Sequence, residues 1–149
     1  MKVRPVRKDE ADTWATLRAR LWPAADPRQL GVEAALFLSG GNVPTIAAVF
    51  LAEEDATSLG FIELAMRAFS DGCDSMPVPH VEGWYVEPAA RGRGAGRALM
   101  QAAEDWARQH GFVELASDTE PWNNASLAAH ARCGFQETER LVKFRKVLR

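Results

Sequence analysis

The sequence predicts an α/β (α+β) chain of about six or seven strands and about four helices. Three observations predict it. Residues 81–86 alternate as a strand does, and they lead through a glycine-rich turn into a long helix. Two apolar stretches, 45–51 and 59–66, flank an acidic turn at 53–55, which is typical of a hairpin. Elsewhere apolar residues recur at helical spacing, as in Ala11, Trp14, Leu17 and Leu21.

In chain order the predicted elements run β-α-α-β-β-β-α-β-α-β-β. The first helix must end before Pro23, because a residue preceding proline leaves helical space, and Gly111 is the expected left-handed residue after the third helix. The predicted strands are 2–6, 45–51, 59–66, 81–86, 112–116, 136–139 and 141–147. The predicted helices are 11–21, 29–38, 95–110 and 123–132.

Composition predicts one soluble domain covering residues 1–149. The chain has 47% hydrophobic and 26% charged residues, which suffices for a sizeable core. Its formal net charge of −2 gives no global reason to expect nucleic acid or an anionic membrane as a partner. No apolar run reaches the roughly 20 residues that span a bilayer, and the first residues do not resemble a signal peptide. Two cysteines without metal-ligand spacing favour reduced thiols in a cytoplasmic protein and no metal.

The glycine run at the start of the third helix predicts an anion site. Gly92, Gly94 and Gly96 let the backbone approach a ligand, and the first-turn N–H groups of the helix point at it. A phosphate or pyrophosphate is the natural ligand. The dinucleotide pattern fails because Arg97 or Leu99 stands where its third glycine belongs, and no lysine is present for a P-loop. A plain loop before a surface helix is the competing interpretation.

Two groups of residues form recognisable signatures. The first group is Val86, Pro88, Arg91, Gly94 and Gly96. The second group is Asn123, Ser126, His130, Gly134 and Phe135. The first group resembles motif A, and the second resembles the C-terminal signature, of the GNAT superfamily, whose members are acetyl-CoA-dependent N-acetyltransferases.

The resemblance implies a single mixed, mostly antiparallel sheet in which two splayed central strands hold acetyl-CoA. The pantetheine arm would bond the backbone of Trp84 and Val86, and the pyrophosphate would meet the amides of residues 92–97. No metal is implied. The implied cofactor-binding residues are Trp84, Val86, Arg91, Gly92, Arg93, Gly94, Ala95, Gly96, Arg97, Asn123 and His130.

His130 departs from the pattern, because most members have a tyrosine there that protonates the departing CoA thiolate. The imidazole could supply that proton, or bond the cofactor, or be a packed side chain while solvent acts as the acid.

Five segments spread along the chain resemble the aminoglycoside 6′-N-acetyltransferases more narrowly: 17–23, 72–77, 82–83, 116–119 and 134–140. Their substrates are polycationic sugars, so a site needs several carboxylates and an aromatic or apolar wall. Each acid could instead be a solvated surface charge, and Trp22 could be core packing. The candidate substrate-binding residues are Trp22, Phe69, Asp71, Asp74, Glu82, Asp118, Glu120, Glu137 and Glu139.

The implied chemistry is direct attack of the substrate amine on the thioester. Asp118 or Glu82 is the expected proton acceptor, with Asp118 slightly favoured, and the Val86 N–H is the expected oxyanion donor. Both carboxylates could instead only hold substrate ammonium groups. Relatives form homodimers, in which Glu137 and Glu139 could complete the neighbouring site.

Two alternatives stay open. The chain could acetylate another amine, such as a polyamine, an amino acid or a protein N-terminus. It could also be a non-catalytic acyl-CoA sensor that keeps the glycine-rich turn. Phe69 and Phe144 stand where relatives can carry tyrosine, which points to a different substrate range, and Tyr85 is expected in the core.

Overall fold

The computed structural model describes residues 1–149 and contains five strands, four α-helices and one short 3-10 turn at Pro88–Ala90. The strands are β1 (Lys2–Pro5), β2 (Ala48–Glu54), β3 (Thr57–Arg67), β4 (Val78–Val86) and β5 (Ala116–Ser117). The helices are α1 (Ala11–Leu21), α2 (Pro27–Leu38), α3 (Ala95–Gln109) and α4 (Asn124–Arg132). No helix combines the length and the apolar character that crossing a membrane requires.

The five strands form one sheet in the order β1-β2-β3-β4-β5. The first four pair antiparallel, and β5 pairs parallel to β4. A single mixed, mostly antiparallel sheet is therefore confirmed. The predicted number of six or seven strands is wrong. Residues 136–149 make no backbone–backbone hydrogen bond, so the two strands predicted there have no partner, and only the end of 112–116 enters the sheet.

Local sequence signals explain where most elements begin and end. The Asp26 side chain accepts the Arg28 N–H and Pro27 follows as the first helical residue, so α2 begins two residues before its prediction. The β2–β3 turn falls at Asp55 and Ala56, whose φ values are 48° and 62°, rather than at 53–55. Gly111 has a φ of 80°, which confirms the left-handed residue after α3.

Helices cover both faces of the sheet. The apolar stripe of α3 packs on one face of the sheet, where Ala95, Leu99 and Ala103 lie in one cluster with Ile62 and Val81. On the other face α1 and α2 cover a second cluster: Trp14, Leu17, Ala34, Val43, Ile46, Val49, Leu51 and Phe61. The sheet with its β4–β5 edge is therefore held rigidly between two apolar layers.

A buried ion pair lies within the second layer. Arg18 and Glu63 are 3% and 1% exposed, and the Glu63 carboxylate accepts hydrogen bonds from Arg18 Nε at 3.0 Å and Trp14 Nε1 at 3.1 Å. Arg18 also donates to Glu33 at 3.0 Å, and its guanidinium carbon lies 5.3 Å from the Trp22 ring centroid. Glu63 therefore anchors the end of α1 to the sheet beneath β4.

We expect Glu63→Gln to lower the free energy of unfolding by about 3 kcal/mol, because it leaves the buried Arg18 charge without its main partner. Urea denaturation at neutral pH measures this. Glu33→Gln removes the more exposed partner of the same arginine and serves as the control, with an expected loss of about 1 kcal/mol or less. Equal losses in the two variants would contradict the importance of the buried pair.

Candidate functional site

A gap opens beside the C-terminal half of β4. The pairing between β4 and β5 consists of His80 with Ala116 and Val81 with Ser117, and it stops there. The Glu87 N–H donates to the Leu59 carbonyl at 2.7 Å. By the alternation of antiparallel pairs, residues 83 and 85 also bond β3, whereas residues 84 and 86 direct their backbone groups into the gap.

The glycine-rich turn lies directly beyond this gap. Gly92 and Gly94 have φ values of 75° and 90°, and no atom lies within 4 Å of where a Cβ would stand on either residue. The N–H groups of residues 92–94 make no hydrogen bond within the chain, and the first-turn N–H groups of α3 have no intrahelical partner. These donors form an open cradle with the geometry that an anionic phosphate needs.

The three predicted phosphate-site arginines differ in their contacts. Arg91 turns back onto β4, where its Nε donates to the Val86 carbonyl at 2.9 Å and its guanidinium carbon lies 5.8 Å from the Tyr85 ring centroid. Arg93 forms an ion pair with Glu54 across the β2–β3 hairpin. Arg97 is exposed and makes no ion pair, so its charge is free beside the turn.

Helix α4 brings His130 to the edge of the gap. Its Nδ1 lies 2.7 Å from the Ser126 carbonyl, which can only accept, so Nδ1 carries the proton and Nε2 accepts from the Ser117 hydroxyl at 2.8 Å. The ring makes edge contacts with Trp84, centroid to centroid 5.2 Å. Asn123 caps α4 by accepting the Ser126 N–H at 3.1 Å.

Trp84 joins the strand, the turn and α4. Its Nε1 donates to the Gly96 carbonyl at 3.0 Å, and a Cβ on Gly96 would stand 3.6 Å from the ring. The Trp84–Gly96 hydrogen bond therefore ties the start of α3 to β4, and a Cβ at position 96 would only make an ordinary van der Waals contact with the ring. Ala95 is buried in the core beneath the turn, so only its backbone can face a ligand.

The two predicted catalytic carboxylates lie in one cluster at the mouth of the gap. The β3–β4 register shifts between Glu63 and Leu64, so β4 carries one extra residue, Glu82, that has no directly opposed partner. A β-bulge of this kind bends its strand and re-aims the side chain of the extra residue. Asp118 follows β5. The bulge also breaks the strict alternation, because Val81 shares the α3 face with Trp84 and Val86.

Two further residues connect these carboxylates, and the sequence analysis missed both. Arg67, the last residue of β3, forms a bidentate pair with Glu82 at 2.9 and 3.0 Å and lies 4.0 Å from Asp118. His80 Nε2 lies 3.6 Å from Asp118, and His80 Nδ1 lies 3.3 Å from Glu82. The spacing of His80 two residues before Glu82 on one strand was the available signal.

The charged groups of this cluster shift one another's pKa values. Burial raises the pKa of Glu82, but His80 and Arg67 outweigh burial and bring that pKa to about 2. His80 is the main cause of the lowered pKa of Asp118. Burial acts to lower the pKa of His80, yet Asp118 and Glu82 together raise it above its usual value. Both carboxylates are therefore ionised at neutral pH.

The other predicted substrate residues lie in three places. Trp22 at the end of α1 packs over Gly83, where a Cβ would meet its ring at 2.9 Å, so it is largely a core residue. Phe69, Asp71 and Asp74 lie on the exposed loop after β3. Glu120, Glu137 and Glu139 are exposed as well, and Thr138 contacts Gly72, which sets Glu137 and Glu139 beside that loop.

Glu114, another residue that the sequence analysis did not single out, holds this loop in place. Its carboxylate accepts the N–H groups of Asp74 and Ser75 at 2.9 and 2.6 Å.

Cys73 and Cys133 are free thiols, and no group of three or more His, Cys, Asp or Glu residues is arranged to hold a metal ion.

A free strand edge beside a glycine-rich helix start defines a class of acyltransferase, and comparison with known proteins agrees with that class. A model of the acetyltransferase (GNAT) family matches residues 11–135, and the chain belongs to this family. It is 42% identical to the aminoglycoside N(6′)-acetyltransferase type 1 of Klebsiella aerogenes, over 98% of this chain and 96% of that protein.

Solved structures of similar proteins have the same fold. AAC(6′)-Iy in complex with the bisubstrate analogue CoA-S-monomethyl-acetylneamine has a TM-score of 0.88 and 34% identity, covering 99% of this chain and 98% of the other. Apo AAC(6′)-IG of Acinetobacter haemolyticus, an aminoglycoside 6′-N-acetyltransferase, has a TM-score of 0.86 and 33% identity, covering 99% of both chains.

We expect Arg67→Met to lower stability at neutral pH by about 1 kcal/mol, because Arg67 is partly exposed. Glu82 has a folded pKa of about 2 against 4.5 unfolded, so its contribution to stability is present above pH 4.5 and is lost as pH falls toward 2. The difference between wild type and variant in urea midpoint should therefore narrow over that range.

Arg108→Met is the matched control, since Arg108 pairs only with Glu104 and Asp105 on the exposed face of α3. It should change stability by about 0.5 kcal/mol or less. An Arg67→Met difference that is constant from neutral pH to pH 2 would contradict the coupling to Glu82.

Proposed function

We propose that this chain is an acetyl-CoA-dependent N-acetyltransferase that acetylates the 6′-amino group of aminoglycosides and so confers antibiotic resistance. The main observation in support is that Glu82 and Asp118 meet at one end of the β4–β5 gap, while an open phosphate cradle lies beyond its other end. A cation held by these carboxylates would stand next to a thioester lying in the gap. The nearly full-length similarity to aminoglycoside N(6′)-acetyltransferases supports this substrate class.

The residues around the gap fit acetyl-CoA. The unbonded N–H groups of residues 92–94 and the first turn of α3 would hold the pyrophosphate, with Arg97 adding charge. The backbone groups of Trp84 and Val86 would bond the pantetheine amides. Arg91 covers the Val86 carbonyl and would have to move for that carbonyl to bond a ligand. Arg93 and Asn123 would lie next to the cofactor without bonding it through their side chains, because Arg93 pairs with Glu54 and Asn123 caps α4.

When bound, acetyl-CoA supplies the thioester carbonyl that a neutral substrate amine attacks. The Val86 N–H would donate to the oxygen that becomes negative, because this N–H points into the gap. Asp118 is the better placed of the two carboxylates to accept the amine proton. Its contacts at 3.6 and 4.0 Å are loose, whereas Arg67 occupies both oxygens of Glu82.

Glu82 would therefore orient a substrate ammonium rather than take its proton, because Arg67 already donates to both of its oxygens. The acetyl–sulfur bond breaks as the amide forms, and the departing thiolate needs a proton. Ser117 and His130 form a hydrogen-bonded pair at the end of β5. A doubly protonated ring would pass its Nε2 proton to the Ser117 oxygen as the Ser117 hydroxyl proton moves to the thiolate, and Nδ1 would keep its proton on the Ser126 carbonyl. Water would serve the same purpose if the pair only packs.

We also propose that two copies form a homodimer. Residues 136–149 are exposed and make no backbone–backbone hydrogen bond, and Phe144 is 92% exposed. β5 is an edge strand, and an apolar groove lined by Phe112, Val113, Leu115 and Phe135 lies beside it. An extended apolar segment and an open sheet edge are complementary, so the segment of one copy would pack at this edge of the other.

The whole of residues 1–149 would form one acetyltransferase domain, because both helix layers cover the same sheet. We place the enzyme in the cytoplasm, which suits its free thiols, and cell fractionation tests this location; recovery in the periplasm would contradict it.

The first experiment incubates purified protein with acetyl-CoA and with kanamycin, tobramycin, spermidine or an N-terminal peptide. The release of the CoA thiol measures the rate of acetylation. Mass spectrometry then locates the acetyl group. Efficient turnover at the 6′-amine of kanamycin is the expected result. Turnover on spermidine or the peptide alone would overturn the substrate class, and CoA binding with no turnover would favour a sensor.

In the same assay Asp118→Asn should lower kcat by about 10²-fold or more, the range for loss of a general base. Glu82→Gln should act mainly on KM for the aminoglycoside. Asp105→Asn, on the exposed face of α3, is the matched control and should leave both constants unchanged. Unchanged acetylation by the Asp118→Asn, Glu82→Gln double variant would falsify both roles.

The dimer is tested by light scattering coupled to gel filtration. Phe144→Asp should dissociate it while leaving the fold intact, because this side chain is exposed within its own chain. Val32→Asp, on the exposed side of α2, should stay dimeric. A monomeric wild type would contradict the proposed dimer. A dimeric Phe144→Asp variant would contradict the placement of residues 136–149 in the interface.

A further inference from the structure

His80 is a buried titratable group at the mouth of the gap that the mechanism above does not use. It is 1% exposed and lies on β4 between Ala65 of β3 and Ala116 of β5. Its Nδ1 makes no hydrogen bond, although Glu82 Oε1 is 3.3 Å away. A buried polar atom without a hydrogen-bond partner is uncommon and requires an explanation.

The position of the ring explains this atom. One nitrogen faces Glu82 and the other faces Asp118 at 3.6 Å. A neutral imidazole has one N–H, so its second nitrogen presents a lone pair to a carboxylate oxygen, and the two repel. An imidazolium has two N–H groups and carries a positive charge, so it attracts both carboxylates at these ion-pair distances. The geometry therefore favours a proton on His80 as long as both carboxylates are ionised and Arg67 is the only other cation beside them.

The charged groups that face His80 make this proton important for substrate binding. Glu82 and Asp118 contribute two negative charges, and Arg67 of β3 contributes one positive charge. Lys143 of the C-terminal segment acts on Asp118 from farther away. With a protonated His80, the nearest four side chains sum to zero charge, and with a neutral His80 they sum to −1. A cationic amine is attracted only in the second state.

Building on the proposed function, we propose that His80 is a positioning residue that exchanges its proton for a substrate ammonium group at Glu82 and Asp118. An aminoglycoside ammonium placed between the carboxylates takes over the charge that His80 supplied, and the proton leaves the buried ring for solvent. The acceptor site is thus neutral when empty and becomes anionic as the cation arrives. The raised pKa of His80 agrees with this exchange, because Asp118 and Glu82 outweigh its burial.

The test compares kcat/KM for kanamycin in the wild type and in His80→Gln and His80→Asn between about pH 5.5 and 8.5. The Gln amide places a permanent donor near the Nε2 position, toward Asp118, and the Asn amide places one near Nδ1, toward Glu82. Neither amide titrates. Substrate ionisation is common to all three proteins and cancels in the ratio of wild type to variant.

We expect this ratio to rise with pH by up to about tenfold per unit below the His80 pKa and to level off above it. The rise should lie mostly in KM, because it reflects cation binding. His110→Gln is the matched control: His110 is exposed on α3 and stacks on Trp106, so its ratio to wild type should not change with pH. Thermal melting confirms that each variant is folded.

A pH-independent ratio in folded, active His80 variants would overturn the proposal and leave the proposed function standing. Failure of the wild type to acetylate kanamycin would overturn the proposed function instead. NMR titration of the free protein then measures the protonation state of the His80 imidazole. Protonation of both nitrogens of His80 above the usual imidazole pKa of about 6.5 supports the exchange site, and a His80 that stays neutral at pH 6 contradicts it.

Discussion

The pairing between β4 and β5 lasts for only two residue pairs, and the geometry of the site depends on this short pairing. Beyond Val81 the two strands separate. The outward backbone groups of residues 84 and 86 are then left without a strand partner in the middle of a packed sheet. Backbone groups in such a position must bond something. A ligand with its own amides satisfies them, so an incomplete ladder becomes a binding edge.

The rest of the fold keeps this edge open and rigid. α3 packs on the sheet through apolar side chains, and the hydrogen bond from Trp84 to the Gly96 carbonyl brings the cradle of N–H groups against β4. On the opposite face the buried Arg18–Glu63 pair fastens α1 beneath β4, and Trp22 covers Gly83. Two apolar layers therefore hold a gap that neither layer fills.

The acceptor side depends on charge balance rather than on a count of acids. Nine aromatic or acidic residues were candidates, but Glu82 and Asp118 are the two acids that share partners. Arg67 and His80 supply those partners, and they keep both carboxylates ionised, although Glu82 is partly buried and Asp118 is exposed. A site built from alternating charges can exchange one cation for another at little electrostatic cost, which suits a polycationic substrate.

The sequence by itself determined the elements with strong local signals and the class of cofactor site. Alternation and helical spacing located the first four strands and all four helices, and the glycines before Ala95 marked the cradle, because φ preference and periodicity are local properties. Only the tertiary structure decided which acids meet. His80 and Arg67 lie just outside the predicted strands 81–86 and 59–66, and a bulge and the register between three strands bring them to Glu82 and Asp118. The same reason explains the missing C-terminal strands: a strand exists only where a partner offers its backbone, and residues 136–149 have no such partner within their own chain.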